Sequence, residues 1–360
     1  MRGRPHPHRA HGARAQSAQP AASAAPYRAP RWLAGGHAQT IWPYRLPRTK
    51  VPLRRDRVET PDGDFWDFDW LDVDAAPGAP LVVLFHGLEG GSTSHYARAL
   101  LAHLRVRRLR GVVPHFRGCG GTPNRLPRAY HSGDYEEVAA MLAHVRACTD
   151  AATRIYAVGV SLGGSALLNW LGREQANASR YVTAAAAVSA PLDLMAAGLA
   201  IDRGVNRIYA KHFLSTLKPK SLGIAARFPG LLDARRIRRA RTLYEFDDAV
   251  TAPLHGFAGT RDYWTRASSK PWLATIRVPT LVINARNDPF IPASSLPTPA
   301  EVSSAVTLEQ PRGGGHAGFA RGPFPGNVRW LPERLLNYFA TVGAEPGAAS
   351  PPADRSRQEG

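Results

Sequence analysis

Ile155-Tyr156-Ala157-Val158-Gly159-Val160-Ser161-Leu162-Gly163-Gly164-Ser165-Ala166-Leu167-Leu168-Asn169-Trp170 is the stretch that decides the fold. An apolar run of strand length ends in Gly-x-Ser-x-Gly and passes directly into helix-forming residues, so a serine sits between a buried strand and a helix. A Cβ at Gly159 or Gly163 would collide where the helix meets the strand. The turn forces the serine into a strained backbone and leaves its Oγ exposed at the helix N-terminus. That is the position of a nucleophile. The five-residue pattern alone also arises by chance, so its neighbours must carry the argument.

Upstream, the apolar run 81–85 ends in His86-Gly87-Leu88-Glu89-Gly90-Gly91. A glycine-bearing loop after such a strand turns a backbone N–H toward a carbonyl oxygen, so the oxyanion donors are assigned to the N–H groups of Leu88 and Leu162. His86 is read as a packing histidine that braces the loop, because it precedes the serine. Downstream, strand 280–284 leads into Ala285-Arg286-Asn287-Asp288-Pro289, which puts Asp288 just past a strand's carboxyl end as the acid. A plain Asn-Asp-Pro turn is the bland alternative, and Asp193 is the fallback acid. Strand 306–309 then leads to Gly313-Gly314-Gly315-His316-Ala317-Gly318-Phe319, and His316 is the base. His6, His8 and His11 lie in a low-complexity tail, and His103, His144 and His212 on helices.

The chain of 360 residues, 44% hydrophobic, suffices for one large α/β domain with an insertion. Two cysteines, Cys119 and Cys148, provide neither a disulfide framework nor metal spacing. Chemistry without metal or cofactor and a cytoplasmic setting are expected. The most apolar long window, 182–201, contains Pro191 and Asp193 and reads as a strand and its loop. Net charge is +18, yet residues 1–57 hold twelve Arg and Lys against one acid. Much of the excess therefore belongs to an N-terminal segment whose first 29 residues are expected to be a disordered basic tail, matched by a tail at 344–360. A second basic run, Arg235-Arg236-Ile237-Arg238-Arg239-Ala240-Arg241, reads as a solvated helix face, with weak contact to an anionic membrane surface as the alternative. It lacks the aromatic interleaving that stacks bases, so no nucleic-acid partner is expected.

The coarse order places an edge hairpin around the turn Pro61-Asp62-Gly63 and the alternating stretch 65–72. Strands at 81–85, 111–116, 154–160, 184–189, 280–284 and 306–309 follow, with helices at 96–105, 135–148, 161–172 and 331–342. Such alternation predicts a doubly wound, mostly parallel sheet with right-handed crossovers. Residues 192–272 carry helical patterns and no strand, and are expected to form a helical cap inserted within a domain spanning 30–343.

Further stretches resemble one family. Trp32-Leu33-Ala34-Gly35-Gly36-His37-Ala38-Gln39-Thr40-Ile41, His86-Gly87-Leu88-Glu89-Gly90, Phe116-Arg117-Gly118-Cys119 with Pro123-Asn124-Arg125 and Tyr130-His131-Ser132-Gly133, and Glu245-Phe246-Asp247-Asp248 with His255-Gly256-Phe257 resemble signatures of YheT-type α/β-hydrolases (the AB hydrolase 4 family). That family includes the ABHD lipases and esterases and the plant embryogenesis-associated proteins. The resemblance implies the α/β-hydrolase fold, with nucleophile, acid and base on Ser161, Asp288 and His316, and a carboxylic ester hydrolase cleaving small-molecule esters, short- to medium-chain acyl esters or acylglycerols, through an acyl-enzyme intermediate. The remaining readings are an acyl transferase with the same triad, or a basic membrane-surface or nucleic-acid-binding protein with vestigial activity. Cys119 is read as structural, since no base accompanies it.

Overall fold

The computed structural model describes residues 26–47 and 49–343; the expected C-terminal tail and residues 1–25 of the expected N-terminal tail lie outside them. Eight strands form one sheet in the order β1-β2-β4-β3-β5-β6-β7-β8. β3 (Leu81–Phe85), β5 (Ile155–Val160), β6 (Ala184–Val188) and β7 (Thr280–Ile283) are buried along their whole length. They run parallel with β4 (Arg110–His115) and β8 (Val306–Glu309). This explains their unbroken apolar sequences: a parallel sheet is covered on both faces, so neither face of a strand is left to polar residues.

One face packs α3 (Tyr135–Ala147) and α4 (Leu162–Glu174) around Phe85, Met141 and Trp170. The other packs α2 (His95–Val106) and α11 (Trp330–Gly343) around Leu84, Leu101 and Phe339. At the opposite edge β1 (Leu53–Glu59) and β2 (Phe65–Leu71) form an antiparallel hairpin, and β2 pairs antiparallel with β4.

β1 is the first arm of the expected edge hairpin. Its sequence Leu-Arg-Arg-Asp-Arg-Val-Glu is highly charged for a strand, and Arg55 faces Asp69 and Arg57 faces Asp67 across the pair, with ion contacts of 2.7 and 2.8 Å. Opposite charges on facing positions replace apolar contacts on this exposed edge and discourage pairing with another sheet. The expected tail boundary shifts. Tyr27 is buried between the rings of Phe319 and Trp330 and donates to the carbonyl oxygen of Ala320 at 2.6 Å, so the packed chain begins before residue 30.

Between β6 and β7 lie α5 (Leu194–Ile201), α6 (Arg207–Arg227), α7 (Ala234–Arg239), α8 (Leu243–Ala249), α9 (Thr251–Leu254) and α10 (Thr260–Ala267), with small cores of their own around Ile237, Phe246 and Trp264. Before the sheet, the arm 26–47 carries the short α1 (Gly36–Ile41) and a 3-10 turn, Trp42–Arg45. Among the described residues no helix is long and apolar enough to cross a membrane.

Candidate active site

Ser161 stands between β5 and α4 with φ 54° and ψ −124°, a conformation costly for any residue with a side chain. Surrounding geometry over-determines it. A Cβ on Gly163 would lie 2.4 Å from the carbonyl oxygen of His86, and one on Gly159 2.5 Å from that of Gly163, so only glycine permits this closeness of strand, loop and helix. The Ser161 N–H donates to the Val188 carbonyl at 2.8 Å, tying the turn to β6.

His316 approaches from the loop after β8. Its Nε2 lies 2.9 Å from Ser161 Oγ and its Nδ1 2.8 Å from Asp288 Oδ2. An ionised carboxylate only accepts, so the contact favours the proton on Nδ1 and leaves Nε2 to accept from the serine hydroxyl. The second Asp288 oxygen accepts the Phe290 N–H at 2.8 Å, which fixes the carboxylate's orientation. Asp193, by contrast, caps α5 by accepting the Ala196 N–H and is turned away from this constellation.

The sequence-assigned oxyanion donors flank Ser161. Leu162 opens α4, where the first N–H has no intrahelical acceptor. In the loop after β3, Tyr96 OH takes the Gly87 N–H and Tyr130 OH takes the Glu89 N–H, so the Leu88 N–H between them is the one left over. His86 braces this loop, as its order in the chain predicts: it is fully buried, and its Nε2 accepts the Phe116 N–H at 3.2 Å. Burial, helped by the nearby His115, drives its pKa down to about 3, so the ring stays neutral. Burial pushes the Cys119 thiol up to about 12, which removes the thiolate a nucleophile would need.

Two braces lie beyond what the sequence pattern predicts. In the arm, Gln39 Oε1 accepts the Gly314 N–H and the Asn287 side-chain amide at 2.7 and 2.9 Å, while Thr40 Oγ1 accepts the His316 N–H at 2.9 Å. The Gln39-Thr40 pair thus ties the acid loop to the base loop. The signal is the resemblance of this segment alone, since nothing in its composition reveals partners more than 240 residues away. The Arg117 and Asn124 signature also proves to be a tie: buried Arg117 pairs with Glu137 and Asp64 at 2.9 and 3.1 Å, and Asn124 donates to Asp64.

Over Ser161 opens a cleft, partly open to solvent, with Leu88, Leu162 and His316 at its base and Leu194, Ile201, Phe213, Leu217, Ile224 and Phe246 from the inserted helices around it. Lys220 of α6 reaches back to Glu89 at 2.8 Å. Asp247 is set among these apolar walls, accepting from Thr251 Oγ1 and Trp264 Nε1, and burial raises its pKa to about 6.

Residues 80–323 match the alpha/beta hydrolase fold family. The protein YheT of Escherichia coli (strain K12), whose name places it provisionally among esterases, is 39% identical over 311 residues, covering 85% of this chain and 90% of its own. Human phospholipase ABHD3 is 28% identical over 325 residues, covering 88% of this chain and 78% of its own. An esterase of Pyrococcus furiosus superposes with a TM-score of 0.51 at 16% identity over 82% of this chain and 97% of the other, a likeness of fold. With the match running from β3 past His316, the chain belongs to the alpha/beta hydrolase fold family, in the branch that includes YheT.

Proposed function

We propose that the chain is a serine hydrolase of carboxylic esters, either short- to medium-chain acyl esters or acylglycerols. The observation that carries this reading is the unbroken relay of 2.9 and 2.8 Å contacts from Ser161 through His316 to Asp288 at the base of an apolar cleft. Ser161 Oγ attacks the ester carbonyl carbon while His316 Nε2 takes its proton, and Asp288 steadies the resulting imidazolium. The N–H groups of Leu88 and Leu162 donate to the oxyanion. Collapse releases the alcohol with the proton from His316 and leaves an acyl-Ser161. Water then repeats the sequence, giving the carboxylic acid and restoring the serine. The inserted helices 192–272 act as a cap that shields this chemistry and selects the acyl chain. The names of YheT and human ABHD3 as ester-cleaving enzymes support the reaction class. Contact with an anionic membrane surface belongs to the same proposal, since acylglycerols reside there. The test is a fluorophosphonate probe together with p-nitrophenyl butyrate: Ser161 is expected to carry the label, and Ser161→Ala to lose both label and turnover. A label on another residue sinks the assignment.

A further inference from the structure

Seven large hydrophobic residues are exposed among those described, and five of them fall on three stretches joined beside the active site: Ile41, Tyr44, Val205, Ile208 and Phe324, exposed by 47, 53, 66, 68 and 69%. The joins are direct. His37 of α1 and Tyr209 of α6 stack, with Nδ1 and OH 3.0 Å apart. Ile41 stands four residues after His37 on α1, and Val205 lies in the 3-10 turn Gly204–Asn206 that leads into α6, so this contact brings the two stretches together. Trp42 donates to the carbonyl oxygen of Pro325 at 2.8 Å, and its ring lies 5.7 Å from that of Phe324.

The face borders the cleft. Asn206 donates to the carbonyl oxygen of Pro289 beside Asp288, and Tyr209 packs on Phe290, whose ring lies 4.3 Å from His316. α6 itself passes from surface to cleft: Ile208 is outside, and Phe213 and Leu217 line the cavity.

Charge on this face has one sign. No acid precedes Asp56 in the chain, and none occurs in 203–232. Arg31, Arg45, Arg203, Arg207 and Lys211 are exposed there. The adjacent Asp202 is occupied by the N–H groups of Leu243 and Tyr244. Exposed aliphatic and aromatic side chains set among unopposed cations suit an anionic lipid surface, which accepts the former between headgroups and attracts the latter. A nucleic acid would satisfy only the cations.

We propose that this face, and neither the basic tail before residue 26 nor the Arg235 run, seats the protein on anionic lipid, so that an acyl chain leaves the surface along α6 from Ile208 toward Phe213. Delivery of substrate rests on the ester-hydrolase reading; docking does not.

The test is co-sedimentation of the full chain, as Ser161→Ala to prevent turnover, with vesicles of phosphatidylcholine alone and of phosphatidylcholine mixed with phosphatidylglycerol. Binding to the mixed vesicles is expected. It should fall at least tenfold in Val205→Ser/Ile208→Ser, and about fivefold for each of Arg203→Gln and Arg207→Gln. In the Ser161 background, Val205→Ser/Ile208→Ser should turn over p-nitrophenyl butyrate at the parent rate, showing that it is folded. Unchanged vesicle binding in that variant overturns the proposal in favour of the basic tail. Indifference to vesicles alongside tight binding of an RNA oligonucleotide overturns it in favour of nucleic acid. Vesicle binding without cleavage of any ester sinks the hydrolase reading and leaves docking standing; ester cleavage without vesicle binding does the reverse.

Discussion

At the scale of single residues, Ser161 and Asp288 act through their shared neighbour His316, so the loss of any one member of the relay is not additive with the others. Ser161→Ala and His316→Ala are each expected to lower kcat on a p-nitrophenyl ester by about 10⁴-fold or more, and the double variant hardly further. Retention of a tenth of the parent rate in either would refute the assignment. Asp288→Asn should be comparably damaging because it disturbs the tautomer of His316, whereas Asp193→Asn, whose amide oxygen can still cap α5, should leave both turnover and stability nearly unchanged. Thr40 tests a finer point. Its hydroxyl accepts the backbone N–H of His316, so Thr40→Val leaves that N–H unpaired and frees the loop to drift. A fall in kcat of about tenfold with KM little changed is expected, and an equal rise in KM with kcat intact would show that Thr40 acts on substrate binding instead.

At the scale of elements, the segments legible in sequence were those whose signal is local. β3, β5, β6 and β7 announce themselves as unbroken apolar runs, and Ser161, Asp288 and His316 each follow a strand in an order that restricts the alternatives. What stayed hidden depends on distant partners. The charges of β1 make sense only once Asp67 and Asp69 face Arg57 and Arg55, and the tie between Lys220 and Glu89 only once α6 lies over the loop after β3. That tie links cap position to the residue beside Leu88, so Lys220→Met is expected to lower kcat about threefold. A double-mutant cycle with Glu89→Gln should yield a coupling of about 1 kcal/mol that fades in high salt. A cycle that closes to zero would show that the two charges act independently.

The same loop is anchored from below by Asp69. Burial pushes its carboxyl up, but donors Arg55, His115 and Ser92 together outweigh this and hold it well below the usual carboxylate range. A depressed native pKa stabilises the fold above the unfolded value near 4 and is lost as pH falls through the native one. The melting temperature of the parent should therefore exceed that of Asp69→Asn at pH 6, and the gap should close progressively below about pH 4. A gap independent of pH would mean that the contribution is steric.

At the scale of the whole molecule, the sheet carries Ser161, Asp288 and His316 and the inserted helices form most of the apolar cover of the cleft above them, so chain selectivity should reside in that cover. The cleft between them is apolar along Leu194, Phe213, Leu217, Ile224 and Phe246. Each acyl methylene buried there is worth about 0.8 kcal/mol, a factor of roughly three to four in kcat/KM, until the space is filled. Across p-nitrophenyl esters of increasing length the profile should climb, reach a maximum and then fall. Filling the cavity from the cover tests who sets that maximum. Ile224 projects from α6 far from the relay in sequence, so Ile224→Phe should move the maximum to shorter chains while the shortest ester keeps nearly its parent rate. A flat profile would mean that the acyl chain lies elsewhere. A climb without a maximum would mean that the cover opens into a groove, and an unmoved maximum in Ile224→Phe would transfer chain-length selection from α6 to the base of the cleft.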